Sequence, residues 1–279
     1  MIVRMPSVEN RLINSTTSDI QVEDATGRAG LVFDVSQQVS VYGLYAQSFN
    51  PVSSVGADGE LLEPETGEIY EAGVKTEWLD GKLGVNAALF RLDRQDIPFS
   101  TDPDGPGGNP PFSVSGGLQR TDGMELEING EPLPGWKLSF GGALFDLEFK
   151  DGPFVGATPG GAADWQVGLF TSYELQTGAL KGLGLGAGLF AIDERGVSVF
   201  SPGLTVEGYE RVDLSLFYNG FEDTKIALQV RNVFDERYVE GTASFGNNGY
   251  FGAPTAVLLT VRIDLEGLGK WFPSLGQKP

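Results

Sequence analysis

The chain has 279 residues, carries 38 Asp and Glu against 19 Lys and Arg, and contains neither cysteine nor histidine. The absence of cysteine excludes disulfides and thiolate metal sites, and the absence of histidine excludes the Ser-His-Asp triad, histidine acid–base catalysis and the usual zinc sites. The formal net charge of −19 would repel phosphate backbones, so nucleic acid is not an expected partner. We therefore expect a protein that is not an enzyme and has no resident metal or cofactor.

Alternation with a period of two dominates the sequence. The sequence contains no run of about 18 apolar residues, so no transmembrane helix is predicted. In the clearest segment, Ile226, Leu228 and Val230 alternate with Lys225, Gln229 and other residues of the opposite face. In chain order, strands are predicted over residues 1–8, 27–35, 39–48, 67–78, 82–95, 118–129, 136–149, 164–175, 181–192, 209–218, 223–233 and 254–265. The sequence thus predicts an all-β protein.

The connections between these strands alternate in length. Short connections are predicted at residues 36–38, 79–81, 130–135, 176–180 and 219–222. Long connections are predicted at residues 9–26, 49–66, 96–117, 150–163, 193–208 and 234–253. Short turns on one side and long loops on the other are typical of an antiparallel transmembrane up-and-down β-barrel. We expect about 12 strands over residues 1–265, followed by a C-terminal tail at 266–279.

Aromatic residues mark the strand ends next to the short connections. Trp78, Trp136, Tyr173 and Tyr218 each lie there on the apolar side of a strand, which predicts an aromatic girdle at one membrane interface. The same alternation predicts lipid contact for Ile226, Leu228, Val257, Leu259, Leu214 and Leu216. It predicts that Lys225, Gln229, Arg231, Arg262 and Asp213 face the lumen.

Two motifs resemble a known family. Leu62 to Lys75 matches the pattern L-x-P-E-x-x-x-x-Y-E-x-G-x-K, and Arg231 to Tyr238 reads R-N-V-F-D-E-R-Y. Both are similar to motifs of TonB-dependent outer-membrane siderophore receptors. The segments Gln47–Pro51 and Gly252–Thr255 resemble the ferrichrome-type branch, which imports ferric siderophores. The resemblance extends over nearly the whole chain, with the motifs in the order of the family.

The resemblance implies a location and a ligand. It places the chain in the outer membrane of a Gram-negative bacterium, as the last 12 strands of a barrel of about 22 strands. The plug and the TonB box have no counterpart, so we expect an energy-coupling partner only if a plug exists elsewhere. Iron enters only as a siderophore complex. Aromatic residues of the long connections are the expected ligand contacts, with ordinary loop packing as the alternative: Phe99, Phe112, Phe154, Phe200, Phe245, Tyr250 and Phe251.

The charge of two long connections favours one type of siderophore. Residues 49–66 hold Asp58, Glu60, Glu63 and Glu65 without Lys or Arg. Residues 96–117 likewise hold Asp96, Asp102 and Asp104 without a basic residue. A multiply charged anion such as a ferric catecholate would meet an unfavourable field there. We therefore expect a neutral ferric hydroxamate that packs against Phe245, Tyr250 and Phe251.

Alternative interpretations remain open at this point. The chain could form a passive or engineered pore of 12 strands, or an autotransporter-type translocator barrel, although the latter class lacks the two motifs. A soluble β-sandwich would need a polar face where the strands carry apolar residues. The glycine run 182–188 contains a G-x-G-x-x-A pattern, but its alternation predicts a strand with a smooth inner face rather than a dinucleotide loop.

Overall fold

The fold is an antiparallel meander. The computed structural model describes residues 25–100, 112–242 and 249–264. Eleven strands form one sheet in the order β1-β2-β3-β4-β7-β8-β9-β10-β13-β14-β17. Their bounds are Arg28–Asp34 (β1), Val39–Asn50 (β2), Glu65–Trp78 (β3), Leu83–Gln95 (β4), Leu118–Leu133 (β7), Trp136–Phe149 (β8), Trp165–Glu174 (β9), Leu183–Ile192 (β10), Tyr209–Tyr218 (β13), Thr224–Arg231 (β14) and Ala256–Ile263 (β17). No described helix is long and apolar enough to cross a membrane.

The predicted strands and connections agree with this sheet over the described ranges. The predicted strand at 1–8 and the predicted tail at 266–279 lie outside them. β8 and β13 have the predicted bounds. The predicted turn at 130–135 is too long, because β7 continues to Leu133 with a register shift after Gly130. A Cβ at Gly130 would collide with the backbone of Lys82, so this glycine serves the close approach of β4 and not a turn.

The long connections contain short strand pairs that the sequence analysis did not predict. These are Pro98–Ser100 (β5) with Ser113–Ser115 (β6), Arg195–Gly196 (β11) with Thr205–Val206 (β12), and Val239–Thr242 (β15) with Gly249–Phe251 (β16). We name the long connections in chain order: loop 1 is 51–64, loop 2 is 96–117, loop 3 is 150–164, loop 4 is 193–208 and loop 5 is 232–255. All five leave the same end of the sheet, because consecutive strands are antiparallel.

The two faces of the sheet differ in chemistry. Cross-strand partners share a face, and Leu185, Leu216, Leu228 and Leu259 are successive partners across four strands. We call this the apolar face; Ile226, Leu214 and Val257 also belong to it. The opposite side, the mixed face, carries Lys225, Gln229, Arg231, Arg262 and Asp213 together with glycines and aromatic rings. Both predicted sets of side chains therefore share a face as expected.

The apolar face has a defined height. On β8 it runs without a charge from Trp136 to Leu144, a rise of about 27 Å along a strand. A strand tilt of about 40° reduces this to roughly 21 Å, close to the apolar band of outer-membrane barrels, which is about 25 Å tall. Towards the long loops the apolar face ends in ion pairs. Arg91 and Asp122 approach to 2.6 Å, as do Arg120 and Asp93.

Candidate functional site

The long loops are tied to one another in sequence around the end of the sheet. Ser113 N in loop 2 donates to Val55 O in loop 1 at 2.8 Å. Asp151 N in loop 3 donates to the Leu118 carbonyl, where loop 2 joins β7, at 3.3 Å. The amide of Gly161 in loop 3 donates to the Gly196 carbonyl in loop 4 at 2.7 Å. Arg195 of loop 4 in turn donates to carbonyls of loop 5, so the described parts of the five loops form one connected layer above the sheet.

Four phenylalanine rings form the apolar centre of loops 2, 3 and 4. Phe99 lies 5.0 Å from Phe154 and 5.4 Å from Phe149, measured between ring centroids. Phe154 lies 5.3 Å from Phe200 in an edge-to-face arrangement. Phe149 is 0% exposed, so the last residue of β8 anchors the cluster to the sheet. Edge-to-face aromatic pairs add about 0.5–1.5 kcal/mol each beyond the burial of their area.

Three of the predicted ligand contacts belong to this cluster. Phe99, Phe154 and Phe200 are brought together, and they pack against one another as the loop-packing alternative expects. Phe112 is half-buried just before β6, and Phe245 lies outside the described residues. Ligand binding by these residues stays a prediction. Sequence reasoning missed Phe149, because a phenylalanine at the end of an alternating strand carries no separate signal.

The last loop presents its aromatic residues differently. Tyr250 and Phe251 lie next to each other on β16 and are 61% and 76% exposed. They are therefore more accessible to a ligand than Phe99, Phe149 and Phe154, whereas Phe200 at the rim of the cluster is also 51% exposed. The hairpin of β15 and β16 that carries Tyr250 and Phe251 stands beside loop 4, to which Arg195 ties it.

Asn232 holds the base of loop 5. This side chain is only 1% exposed, and its Nδ2 donates to the carbonyls of Glu236 at 2.9 Å and Ala253 at 3.1 Å. Its Oδ1 accepts from the Glu236 amide at 2.9 Å. Asn232 and Asp235 both adopt a positive φ of 51°, a conformation that asparagine and aspartate tolerate best among residues with a side chain. Asn232, the second residue of the R-N-V-F-D-E-R-Y motif, thus connects the start of loop 5 to its end.

Tyr238, at the end of the same motif, fixes the loop against the mixed face. It is 5% exposed and stacks on Tyr209 with a centroid distance of 4.0 Å. Arg211 extends its Nη1 to the Tyr238 hydroxyl at 3.4 Å, and Arg211 also pairs with Asp213 at 3.2 Å. The described part of loop 5 is therefore bound at its base and again where β15 begins.

Arg195 ties loop 4 to the hairpin of loop 5. Its guanidinium donates to the Val239 carbonyl at 2.7 Å and to the Glu240 carbonyl at 3.1 Å. The same group lies 5.9 Å from the centre of the Tyr209 ring. The planar fork of arginine suits two neighbouring carbonyls better than the point charge of lysine. Sequence reasoning missed Arg195, because a lone arginine in a long loop has no motif around it.

Replacing Arg195 by glutamine should release the β15–β16 hairpin while leaving its base intact. Loss of two charge-assisted hydrogen bonds should raise chymotrypsin cleavage after Tyr250 and Phe251 by about tenfold. Arg195→Lys should give an intermediate rate. The matched control is Arg237→Gln, which removes an exposed arginine from the same loop. Equal cleavage of wild type and Arg195→Gln would show that the tie does not restrain the hairpin.

The acidic side chains of the predicted connections 49–66 and 96–117 are partly compensated. Arg94 pairs with Glu65 at 2.6 Å, which neutralises one of the predicted charges. Asp96 accepts a hydrogen bond from the Ser115 hydroxyl at 3.0 Å. Asp102 and Asp104 lie outside the described residues. In the described ranges, no group of three or more acidic residues is placed to hold a metal ion. The local field is therefore less negative than the sequence alone suggests.

The predicted girdle residues occupy corresponding positions. Trp78, Trp136, Tyr173 and Tyr218 all lie at or next to strand ends beside short connections, on the apolar face. Trp136 and Tyr173 are cross-strand partners. Trp78 Nε1 donates to Thr76 Oγ1 at 2.8 Å, and Trp136 Nε1 donates to Thr171 Oγ1 at 2.9 Å. Each indole nitrogen is thus satisfied, while contact of these rings with a membrane interface stays a prediction.

The described sheet is open, since its outer strands β1 and β17 do not pair with each other, but its strand order and its alternation of short turns and long loops are those of a β-barrel wall. The family model described as TonB dependent receptor-like, beta-barrel matches residues 7–233. The chain therefore belongs to the TonB-dependent receptor family, and the match falls on the β-barrel of that family.

Named relatives agree with this family. The chain is 33% identical to the ferric-pyoverdine 358 receptor of Pseudomonas putida over 244 residues, 86% of this chain and 29% of that protein. It is 30% identical to the ferrichrome outer membrane transporter/phage receptor of Escherichia coli K12 over 256 residues, 89% of this chain and 33% of that protein. The chain thus spans about a third of the length of the curated relatives it matches.

Solved structures give the same result for the fold. The ferripyoverdine receptor of the outer membrane of Pseudomonas aeruginosa, bound to ferripyoverdine, superposes with a TM-score of 0.70 at 26% identity. The match covers 89% of this chain and 34% of that receptor. The siderophore receptor PiuA of Acinetobacter baumannii gives a TM-score of 0.73 at 25% identity, over 85% of this chain and 35% of that one.

Proposed function

We propose that this chain is the C-terminal barrel portion of an outer-membrane receptor that takes up iron–siderophore complexes in a Gram-negative bacterium. The observation that carries the proposal is the connected layer of long loops with an exposed aromatic hairpin beside it. Tyr250 and Phe251 offer two exposed rings on opposite sides of β16. The cluster of Phe99, Phe149, Phe154 and Phe200 packs loops 2, 3 and 4 together. The names of related proteins, which mention pyoverdine, ferrichrome and ferrioxamine, support the same ligand class.

The two faces of the sheet fit this location. The apolar face would contact lipid, with the four aromatic residues at the interface beside the short connections. The mixed face would line the lumen. Iron is the cargo, carried only as a siderophore complex, and no resident cofactor is proposed. Energy coupling is a property that we assign to the full-length receptor and not to the barrel portion by itself.

We favour a neutral ferric hydroxamate of the ferrichrome type as the ligand. Loop 1 retains Asp58, Glu60 and Glu63 without a basic residue, which would repel an anionic complex. A neutral complex avoids this repulsion and gains contact area against Tyr250 and Phe251. Aromatic residues supply such area at low cost in side-chain entropy.

A binding titration on the full-length protein tests the ligand. Ferrichrome should bind more tightly than ferric enterobactin, an anionic catecholate, when both are titrated at low salt and followed by quenching of tryptophan fluorescence. Tighter binding of the catecholate would overturn the hydroxamate assignment. Failure of both complexes and of ferric pyoverdine to bind would overturn the siderophore function itself.

The hairpin variant tests the proposed site. Replacing Tyr250 and Phe251 together by alanine should weaken ferrichrome binding by about tenfold or more, because truncation of aromatic contacts is among the costliest changes at binding surfaces. Phe221→Ala is the matched control, since this exposed ring lies in a short connection at the opposite end of the sheet. An affinity unchanged in the double variant would move the ligand site away from the hairpin.

A further inference from the structure

Three asparagine–glycine pairs occur in the chain, at residues 129–130, 219–220 and 248–249. Asparagine before glycine is the pair most prone to spontaneous loss of the side-chain amide group, because glycine has no Cβ to shield the backbone nitrogen that attacks the side chain. This attack requires a backbone that can bend toward the asparagine side chain. Residue 248 lies outside the described residues, whereas the other two pairs have very different backbone surroundings.

The pair Asn129–Gly130 lies inside β7, between two partner strands. Asn129 is opposite Gly84 on β4 and Ser139 on β8, and Gly130 is paired with the same two strands. The Asn129 Oδ1 also accepts a hydrogen bond from the Ser139 hydroxyl at 2.7 Å. Because this extended backbone is held on both sides, the Gly130 nitrogen cannot turn back toward the Asn129 side chain unless the sheet opens locally.

The pair Asn219–Gly220 lies in the short connection between β13 and β14, where no partner strand holds the backbone. Residues 219–223 belong to neither strand, and Gly220 is exposed. Among the described residues, no hydrogen bond is donated by the Gly220 amide nitrogen. Asn219 is half-buried but Asn129 is exposed, so access to water alone would favour reaction at Asn129, whereas backbone freedom favours reaction at Asn219.

The side-chain amide of Asn219 links its connection to β9, across the end of β10. Its Nδ2 donates to Oε2 of Glu174, the last residue of β9, at 2.8 Å. Beside this bond, Gly182 and Gly220 are so close that a Cβ on Gly182 would come within 2.5 Å of the Gly220 nitrogen. An aspartate at position 219 could not donate the hydrogen bond and would place a second carboxylate against Glu174. An isoaspartate would in addition insert a methylene group into the backbone beside Gly182.

We propose that Asn219 is a site of spontaneous deamidation that breaks this link. The Gly220 nitrogen forms a bond to Cγ of Asn219 while the bond between Cγ and Nδ2 breaks, and ammonia leaves with the proton of the Gly220 amide. Water then opens the resulting cyclic imide. Attack at Cγ gives aspartate, attack at the backbone carbonyl gives isoaspartate, and either restores an N–H on Gly220. Water is the only co-reactant, and the site does not depend on the siderophore function.

Peptide mapping of the full-length protein, aged in detergent at mildly alkaline pH, tests the proposal. Trypsin places the two asparagines in separate peptides, 212–225 and 121–137. In folded protein, mass spectrometry should find aspartate and isoaspartate at residue 219 at least about tenfold faster than at residue 129, because reaction at 129 requires local opening of the sheet. In urea-unfolded protein the two rates should become similar. Asn219→Gln should remove the products at 219 and leave residue 129 unaffected, because glutamine closes a larger ring far more slowly.

Thermal unfolding measures the consequence of the modification. Asn219→Asp, which reproduces one of the products, should lower the Tm by a few degrees, because the bond to Glu174 is replaced by repulsion between two carboxylates. Asn129→Asp is the matched control and should keep the wild-type Tm, since aspartate can still accept from Ser139. Deamidation at residue 129 as fast as at 219 in folded protein, or an unmodified residue 219 when the unfolded chain has fully reacted, overturns the proposal. A wild-type Tm for Asn219→Asp overturns the claim that the reaction breaks a stabilising link.

Discussion

Replacing Asn232 by alanine should lower the free energy of unfolding by about 3–5 kcal/mol. Three hydrogen bonds of its buried amide would be lost, and the carbonyls of Glu236 and Ala253 would be left without their donor. Alanine also tolerates the positive φ of this position poorly. Urea-induced unfolding in lipid vesicles, followed by tryptophan fluorescence, measures the loss. Hydrogen exchange at the Glu236 and Thr255 amides should increase in parallel.

Two further variants separate the causes of this loss. Asn232→Gly removes the side-chain hydrogen bonds but suits the backbone conformation, so it should be less harmful than alanine by about 1 kcal/mol. Asn129→Ala is the control for loss of an exposed asparagine that accepts one hydrogen bond, from Ser139. If Asn232→Ala lowered the free energy of unfolding no more than Asn129→Ala does, the hydrogen bonds of Asn232 would contribute nothing to stability.

Arginine at Leu228 should cost about 2–4 kcal/mol of folding free energy in a bilayer, whereas arginine at Gln229 should cost less than about 1 kcal/mol. The two residues are neighbours on β14 and point to opposite faces. Leu228 lies between Leu216 and Leu259 in the apolar row, near the middle of the band that we assign to lipid. An arginine at Leu228 would lose its hydration without gaining a counter-charge. Gln229, by contrast, lies on the face that already carries Lys225 and Arg262.

Equilibrium folding into vesicles of a single phosphatidylcholine provides the comparison. Leu259→Arg serves as a second variant of the apolar row, and it should resemble Leu228→Arg rather than Gln229→Arg. The difference between faces should disappear in urea-unfolded protein, since it arises from lipid contact alone. Equal costs at Leu228 and Gln229 in the folded barrel would contradict the assignment of the apolar face to lipid.

The strands could be predicted because their signal is local. Alternation from Lys225 to Val230 defines β14 within one segment, and the side chains of one face need no knowledge of the partner strands. Gly130 is the instructive exception. The sequence analysis places Gly130 at the start of a short connection, yet in the structure this glycine allows the backbone of Lys82 in the neighbouring connection to approach. That contact joins segments far apart in the chain, so no local pattern contains it.

The candidate site could be predicted only in outline for the same reason. The motif around Asn232 and Tyr238 was found, and the aromatic residues of the loops were selected as a group. Which rings pack together and which stay exposed depends on contacts between loops, such as Phe99 with Phe154. The two hydrogen bonds from Arg195 to loop 5 likewise join residues of different loops. Composition and spacing within one loop cannot encode them.

The connected loop layer also determines where the protein can accept foreign sequence. At the tip of loop 1 the amide of Gly56 donates to the Glu60 carbonyl at 2.7 Å and the amide of Gly59 donates to the Gly56 carbonyl at 3.1 Å. A Cβ at Gly59 would meet no atom within 4 Å. An epitope inserted at residues 56–60 would project from the barrel without breaking a contact between two loops. Gly117 of loop 2 packs closely against the backbone of Gly152 in loop 3. The same insertion at Gly117 would separate these two loops and displace the loops that are bonded to them. Peptide display on this barrel therefore has its natural entry point at residues 56–60.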